Sequence, residues 1–142
     1  MQGEFVNGVT VRPLRCGETA TVQAVFDGLG PRSRLLRFGG AKNELRPDDL
    51  ELLARVDAIH HVLVAFAERR PVGIARLVRD GATAEVAFEV VDEWQGRGVG
   101  RLLVARLAAD ARAAGIARLV GDIRDENPAS RALLRRARLA VA

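Results

Sequence analysis

The 142-residue chain has no tyrosine, one cysteine (Cys16), two histidines, one lysine (Lys42) and only six aromatic residues, five phenylalanines and Trp94. Each shortage removes a kind of chemistry. A lone cysteine cannot close an intramolecular disulfide, and Cys16 has no neighbouring histidine of the sort that activates a thiol nucleophile. His60 and His61 add too little to assemble a set of metal ligands, so no metal cofactor is expected. The formal charge is +4 and nearly all of the basic side chains are arginines. With so few rings to stack on bases and no recognisable binding motif, nucleic-acid binding is not expected from that basicity. No apolar run approaches a membrane span, and Met1-Gln2-Gly3-Glu4 lacks the charged and apolar parts of a signal peptide. The expectation is a cytoplasmic protein with no membrane contact.

What is present suits one folded domain over residues 1–142. Apolar residues make up 49 % and charged residues 28 %, enough of the first to form a core and of the second to keep its surface in water. Val9-Thr-Val-Arg-Pro reads as a strand ending near Pro13. Glu18 to Gly28 carries Val22, Val25 and Phe26 at helical spacing, and Pro31 to Phe38 reads as a second helix with Leu35, Leu36 and Phe38 inward. Pro47 to Ala54 reads as a third, with proline and acidic residues in its first turn. Three strands follow, His61–Ala67, Val72–Arg79 and Ala84–Val91, joined by tight turns into an antiparallel meander. A helix over Gly98–Ala114, a strand over Ile116–Ile123 and a helix opened by Asn127-Pro128 complete the pattern. The helical crossover makes the strand over Ile116–Ile123 parallel to the third meander strand.

Between the third meander strand and the helix lies Gln95-Gly-Arg-Gly-Val-Gly100. Alternating glycines let successive N–H groups turn toward one point with no Cβ in the way, and the following helix adds its positive N-terminal end. A phosphate or pyrophosphate is the natural occupant. Two familiar phosphate loops do not fit. A Walker A loop would place Lys and Ser/Thr where Arg101-Leu102 follow Gly100, and a dinucleotide-binding loop spaces its glycines differently and follows the first strand of a parallel sheet.

The spacing Gln95-x-x-Gly98-x-Gly100, preceded by a strand with Ala84-Glu85-Val86 and followed by Asn127-Pro-Ala-Ser-Arg-Ala-Leu-Leu134, resembles the GNAT superfamily of acyl-CoA-dependent N-acetyltransferases. The resemblance runs from Val9 to about Arg138. It implies an α/β (α+β) fold, a mixed and mainly antiparallel sheet flanked by helices. It also exposes a departure. Such domains end in two further strands, and here only Leu139–Ala142 follow the last helix. The C-terminal strand pair is therefore expected to be missing, or the edge to be completed by a partner chain in a homodimer.

The resemblance implies acetyl-CoA as cofactor, a polyanion that also accounts for some of the basic charge. Its pyrophosphate is expected on Gln95, Gly96, Arg97, Gly98, Val99, Gly100 and Arg101. Its pantetheine arm is expected along Phe88, Val90 and Val91, with Asn127 as a further contact and the Val90 N–H facing the developing oxyanion. Arg97 and Arg131 are candidates to meet the phosphates. The implied acceptor is an amine, and an alkylamine with a pKa of about 10.4 must lose a proton before it attacks. Glu85, Glu89 and Asp122 are candidate bases, Glu85 and Glu89 sharing one strand face; the match to Ala-Glu-Val favours Glu85. Many relatives place a tyrosine at the position of Leu134 to protonate the leaving thiolate; water must serve instead. Gly30-Pro-Arg-Ser-Arg-Leu-Leu-Arg-Phe38 is similar to bacterial protein lysine acetyltransferases, which points to a protein lysine as acceptor. The alternatives are a small-molecule amine, or a catalytically weak acyl-CoA-binding regulatory module.

Overall fold

The computed structural model describes residues 8–38, 43–121 and, for the backbone, 140–141. Six strands lie side by side in chain order: β1 (Val9–Pro13), β2 (His60–Ala67), β3 (Arg70–Asp80), β4 (Thr83–Val90), β5 (Arg118–Gly121) and β6 (Ala140–Val141). The first four pair antiparallel, while β4 with β5 and β5 with β6 are parallel. The mixed sheet expected from the sequence is thus the one observed. At the C-terminus the two residues of β6 pair with Val120 and Gly121. The edge beyond β5 therefore carries one short strand, where none was anticipated.

Alternating residues direct side chains to opposite faces of the sheet. One face receives α4 (Val99–Ala113): a Cβ built on Gly73 would lie 3.0 Å from both Leu103 Cδ1 and Val99 Cγ1, so glycine lets this helix sit close against the strand. His61 Nε2 lies 2.8 Å from Asp110 Oδ2 on the same side. Leu103 and Leu107 of α4 are wholly buried there. Burying each contributes about 1.5–3 kcal/mol.

The opposite face receives α1 (Thr19–Asp27), α2 (Pro31–Phe38) and α3 (Pro47–Leu53). Its link to α1 is ionic. Glu18 accepts two bonds from Arg12 of β1, at 3.0 and 2.7 Å, and one from the Arg15 N–H at 3.0 Å. These donors hold the Glu18 carboxyl down at about 2. α1 buries Val22, Val25 and Phe26 as its spacing requires. The short α2 has the expected bounds but not the expected packing: it has no fully buried residue, and Leu35 is exposed. Phe38 and Arg34 hold it to α1, the first with its ring 5.7 Å from that of Phe26, the second with its guanidinium 4.0 Å over the same ring.

Candidate active site

The site lies where β4 hands over to α4. The Val91 N–H donates to Val72 O at 2.9 Å, which fixes the alternation along the strand. Odd-numbered residues direct their backbone groups toward β3, and Phe88 and Val90 direct theirs to the β5 side. The described ladder with β5 covers Thr83–Val86 only. This orientation turns the Val90 N–H to the β5 side of the strand. A 3₁₀ turn, Asp92–Trp94, then leads into the glycine loop.

Gly96 and Gly98 both have positive φ, +77° and +92°, conformations that side chains with a Cβ rarely adopt. Gly98 is the N-cap of α4 and supplies no side-chain bond to the helix; the first helical bond runs from Leu102 N–H to Gly98 O at 3.0 Å. The N–H groups of Val99, Gly100 and Arg101 thus have no acceptor within the helix. A Cβ built on Gly96 would meet nothing within 4 Å, so the loop borders open space. Donors unpaired within the helix, a helix dipole and open space beside Gly96 together fit a pyrophosphate. Arg97 lies beside them with its guanidinium 4.4 Å over the Trp94 ring.

Two of the expected contacts already have partners within the fold. Val91 has its N–H on Val72 O, its carbonyl accepting from Trp94 N–H, and its side chain buried. Its side chain is a wall of the core. Gln95 spends its N–H on Asp92 O at 3.2 Å, and its side chain turns back toward Val90 O at 2.9 Å, away from the cradle. The donors open to a phosphate therefore begin after Gln95.

The two strand glutamates share a face but not an environment. Glu85 is exposed, opposite Val78 and Val120. It stands five residues before Val90, about 16 Å along an extended strand. Glu89, beside Val90, is 8 % exposed and bound by Arg37 Nε of α2 at 2.7 Å. Behind it stands Arg76, buried in the middle of β3, which sequence reasoning passed over within an apolar run. Arg76 donates Nη2 to the Leu53 carbonyl, while its Nε and Nη1 have no partner among the described residues. Burial pushes its pKa down, and Glu89 offsets part of that effect. Asp122, Asn127, Arg131 and Leu134 lie outside the described residues.

A mainly antiparallel sheet whose strand β4 ends in a glycine-lined helix N-terminus defines an acyl-CoA-dependent transferase domain. Residues 32–138 match the acetyltransferase (GNAT) family, and the chain belongs to that family. It is thus a GNAT domain, and the acetyltransferases of that family use acetyl-CoA. Acetyltransferase Pat of Mycolicibacterium smegmatis is 36 % identical over 93 residues, covering 61 % of this chain and 28 % of that protein. The chain therefore spans little more than a quarter of that relative's length. The crystal structure of the GNAT domain of S. lividans PAT superposes with a TM-score of 0.84 at 26 % identity, covering 91 % of this chain and 80 % of that one. A cAMP-binding acyltransferase from Mycobacterium smegmatis gives a TM-score of 0.61 at 28 % identity, covering 90 % of this chain and 38 % of that one. Among the described residues no helix is long and apolar enough to cross a membrane.

Proposed function

We propose that this domain, taken as residues 1–142, transfers the acetyl group of acetyl-CoA to the side-chain amine of a protein lysine in the cytoplasm. The observation that carries the donor side is the row of open N–H groups at Val99, Gly100 and Arg101 behind the positive-φ glycines 96 and 98. Acetyl-CoA supplies an acetyl group activated as a thioester. Gly96, Arg97 and Gly98, with the three helix donors, hold the diphosphate; Phe88 and Val90 offer backbone groups to the pantetheine arm, and Asn127 a side-chain contact. The Val90 N–H stabilises the oxyanion. Glu85 draws the proton from the acceptor amine through ordered water, since its distance from Val90 excludes direct transfer. Water also protonates the departing thiol, whose pKa of about 8.5 makes it a tolerable leaving group without a tyrosine.

The lysine acceptor is supported by the likeness of Gly30–Phe38 to bacterial protein lysine acetyltransferases and by the similarity to acetyltransferase Pat. A homodimer through the short β6 edge is part of the same reading. The test is acetyl transfer to lysine peptides, folded acyl-CoA synthetases and small amines such as spermidine, with Glu85→Gln beside the natural sequence. Transfer to protein lysine is expected, with a loss of about 10²- to 10⁴-fold in the variant and unchanged acetyl-CoA affinity. Transfer only to small amines would replace the acceptor assignment. Binding of acetyl-CoA without transfer to any acceptor would leave a regulatory acyl-CoA-binding module.

A further inference from the structure

Asp92, two residues beyond Val90, joins the cofactor strand to the start of α2. Its N–H donates to Gly28 O at 2.9 Å; its Oδ2 accepts the Gly30 N–H at 3.1 Å and its Oδ1 the Ser33 hydroxyl at 2.6 Å. Gln95 closes the ring: Nε2 donates to Val90 O at 2.9 Å and to Ser33 Oγ at 3.1 Å. The joint is shaped for close approach. A Cβ on Gly28 would stand 2.6 Å from Val91 Cγ1, and one on Gly30 would stand 2.5 Å from Asp92 Oδ2. Asp92 is 62 residues from Gly30 and 59 from Ser33 in the chain, so these contacts exist only in the folded domain.

The two ends of this clasp face different reactants under the acetyltransferase reading, on which the inference rests. Val90 presents its N–H to the acyl group while Gln95 holds its carbonyl. Helix α2 lies on the face of the sheet that carries Glu85 and Glu89, where the acceptor amine must approach. We propose that Asp92 and Gln95 are positioning residues that couple the two: ordering of the Val90 end by acetyl-CoA fixes Gln95 and Asp92, and these fix the first turn of α2 for the acceptor. Coupling of this kind is reciprocal, so acetyl-CoA and acceptor tighten each other's binding by the same factor. Neither side chain touches a reacting atom.

Hydrogen exchange with and without acetyl-CoA, and steady-state kinetics against both substrates, test the clasp. In the natural sequence acetyl-CoA slows exchange of the amides of residues 28–36; in Asp92→Ala that response is lost. The acceptor KM rises on the order of tenfold, the scale of one lost charge-assisted hydrogen bond, while the acetyl-CoA dissociation constant stays within about twofold. Asp92→Asn, which keeps one acceptor oxygen, recovers part of the response. Ser33→Ala and Gly30→Ala loosen the joint from the other side and give the same pattern should Asp92→Ala fold poorly. Natural protein that binds acetyl-CoA with no change in exchange at 28–36 overturns the coupling. So does a set of variants in which acetyl-CoA binding measured without acceptor weakens as much as the acceptor KM rises. Failure of the natural protein to bind acetyl-CoA at all would overturn the acetyltransferase reading itself, and the coupling with it.

Discussion

Arg37 Nε donates to Glu89 Oε1 at 2.7 Å, joining α2 to β4 in a setting where the glutamate is 8 % exposed and the arginine 18 %. Arg76 lies close enough to feel the charges of both. Glu89 is hydrogen-bonded by Arg37 and acts on the buried Arg76 through its charge alone.

Removing either end of the Arg37–Glu89 pair therefore has unequal consequences. Arg37→Ala leaves Glu89 with Arg76 still beside it, and the loss is expected to be about 1 kcal/mol. Glu89→Ala leaves the buried Arg76 without the anion that offsets part of its burial cost, and the expected loss is larger, on the order of 3–5 kcal/mol. Urea unfolding of the two variants measures the order; equal losses, or a larger loss for Arg37→Ala, would refute the arrangement.

Glu18 makes the domain sensitive to acid. Its carboxyl is held at about 2, below the ordinary value of 4.5, first by the hydrogen bonds from Arg12 and then by those from Thr21 and the Arg15 N–H. The folded state thus binds the proton less readily than the unfolded chain. The stability Glu18 contributes is present in full above about pH 4.5 and is lost as pH falls toward 2. Melting temperatures followed from pH 6 to 2.5 should fall less steeply for Glu18→Gln than for the natural sequence. Parallel curves would show that the ion pair has no part in the acid response.

Gly98 is the cradle residue least able to carry a side chain, because its φ is +92° at the N-cap of α4. Gly98→Ala is expected to cost about 1–2 kcal/mol of stability through backbone strain. It should also weaken acetyl-CoA binding by turning the N–H groups of Val99 and Gly100 out of line. Isothermal titration with acetyl-CoA beside thermal unfolding separates these effects; unchanged affinity would place the pyrophosphate elsewhere.

Leu103 tests how tightly α4 is set on the sheet. It is fully buried, and its Cδ1 would come within 3.0 Å of a Cβ on Gly73. Leu103→Ala is expected to destabilise by about 2–5 kcal/mol, the transfer loss plus a cavity the neighbouring strand cannot fill. A loss below 1 kcal/mol in a denaturant titration would mean that helix and strand collapse together.

The parts of this protein legible in its sequence are those set by neighbours in the chain. The apolar run in His60–Ala67 and the alternating apolar residues in Thr83–Val90 mark strands, the second because a pleated backbone repeats every two residues, and the register of β3 with β4 keeps that alternation. The glycine loop is equally local: positive φ at residues 96 and 98 needs no distant partner, so its backbone shape could be read from spacing and position. The helix Pro31–Phe38 shows the limit. Its bounds were readable, but which side faced inward was not, and Leu35 is exposed because Arg34 and Phe38, not the leucine, meet Phe26. Arg76 looked like an interruption in a strand, and only the fold sets Glu89, Arg37 and the Leu53 carbonyl around it. Gln95, readable as a cofactor ligand, turns instead to Val90 and Ser33 because Asp92 brings α2 against the turn. Local rules determined the strands, the helices and the phosphate loop; packing across some sixty residues decided which polar groups face one another and which remain open to a substrate.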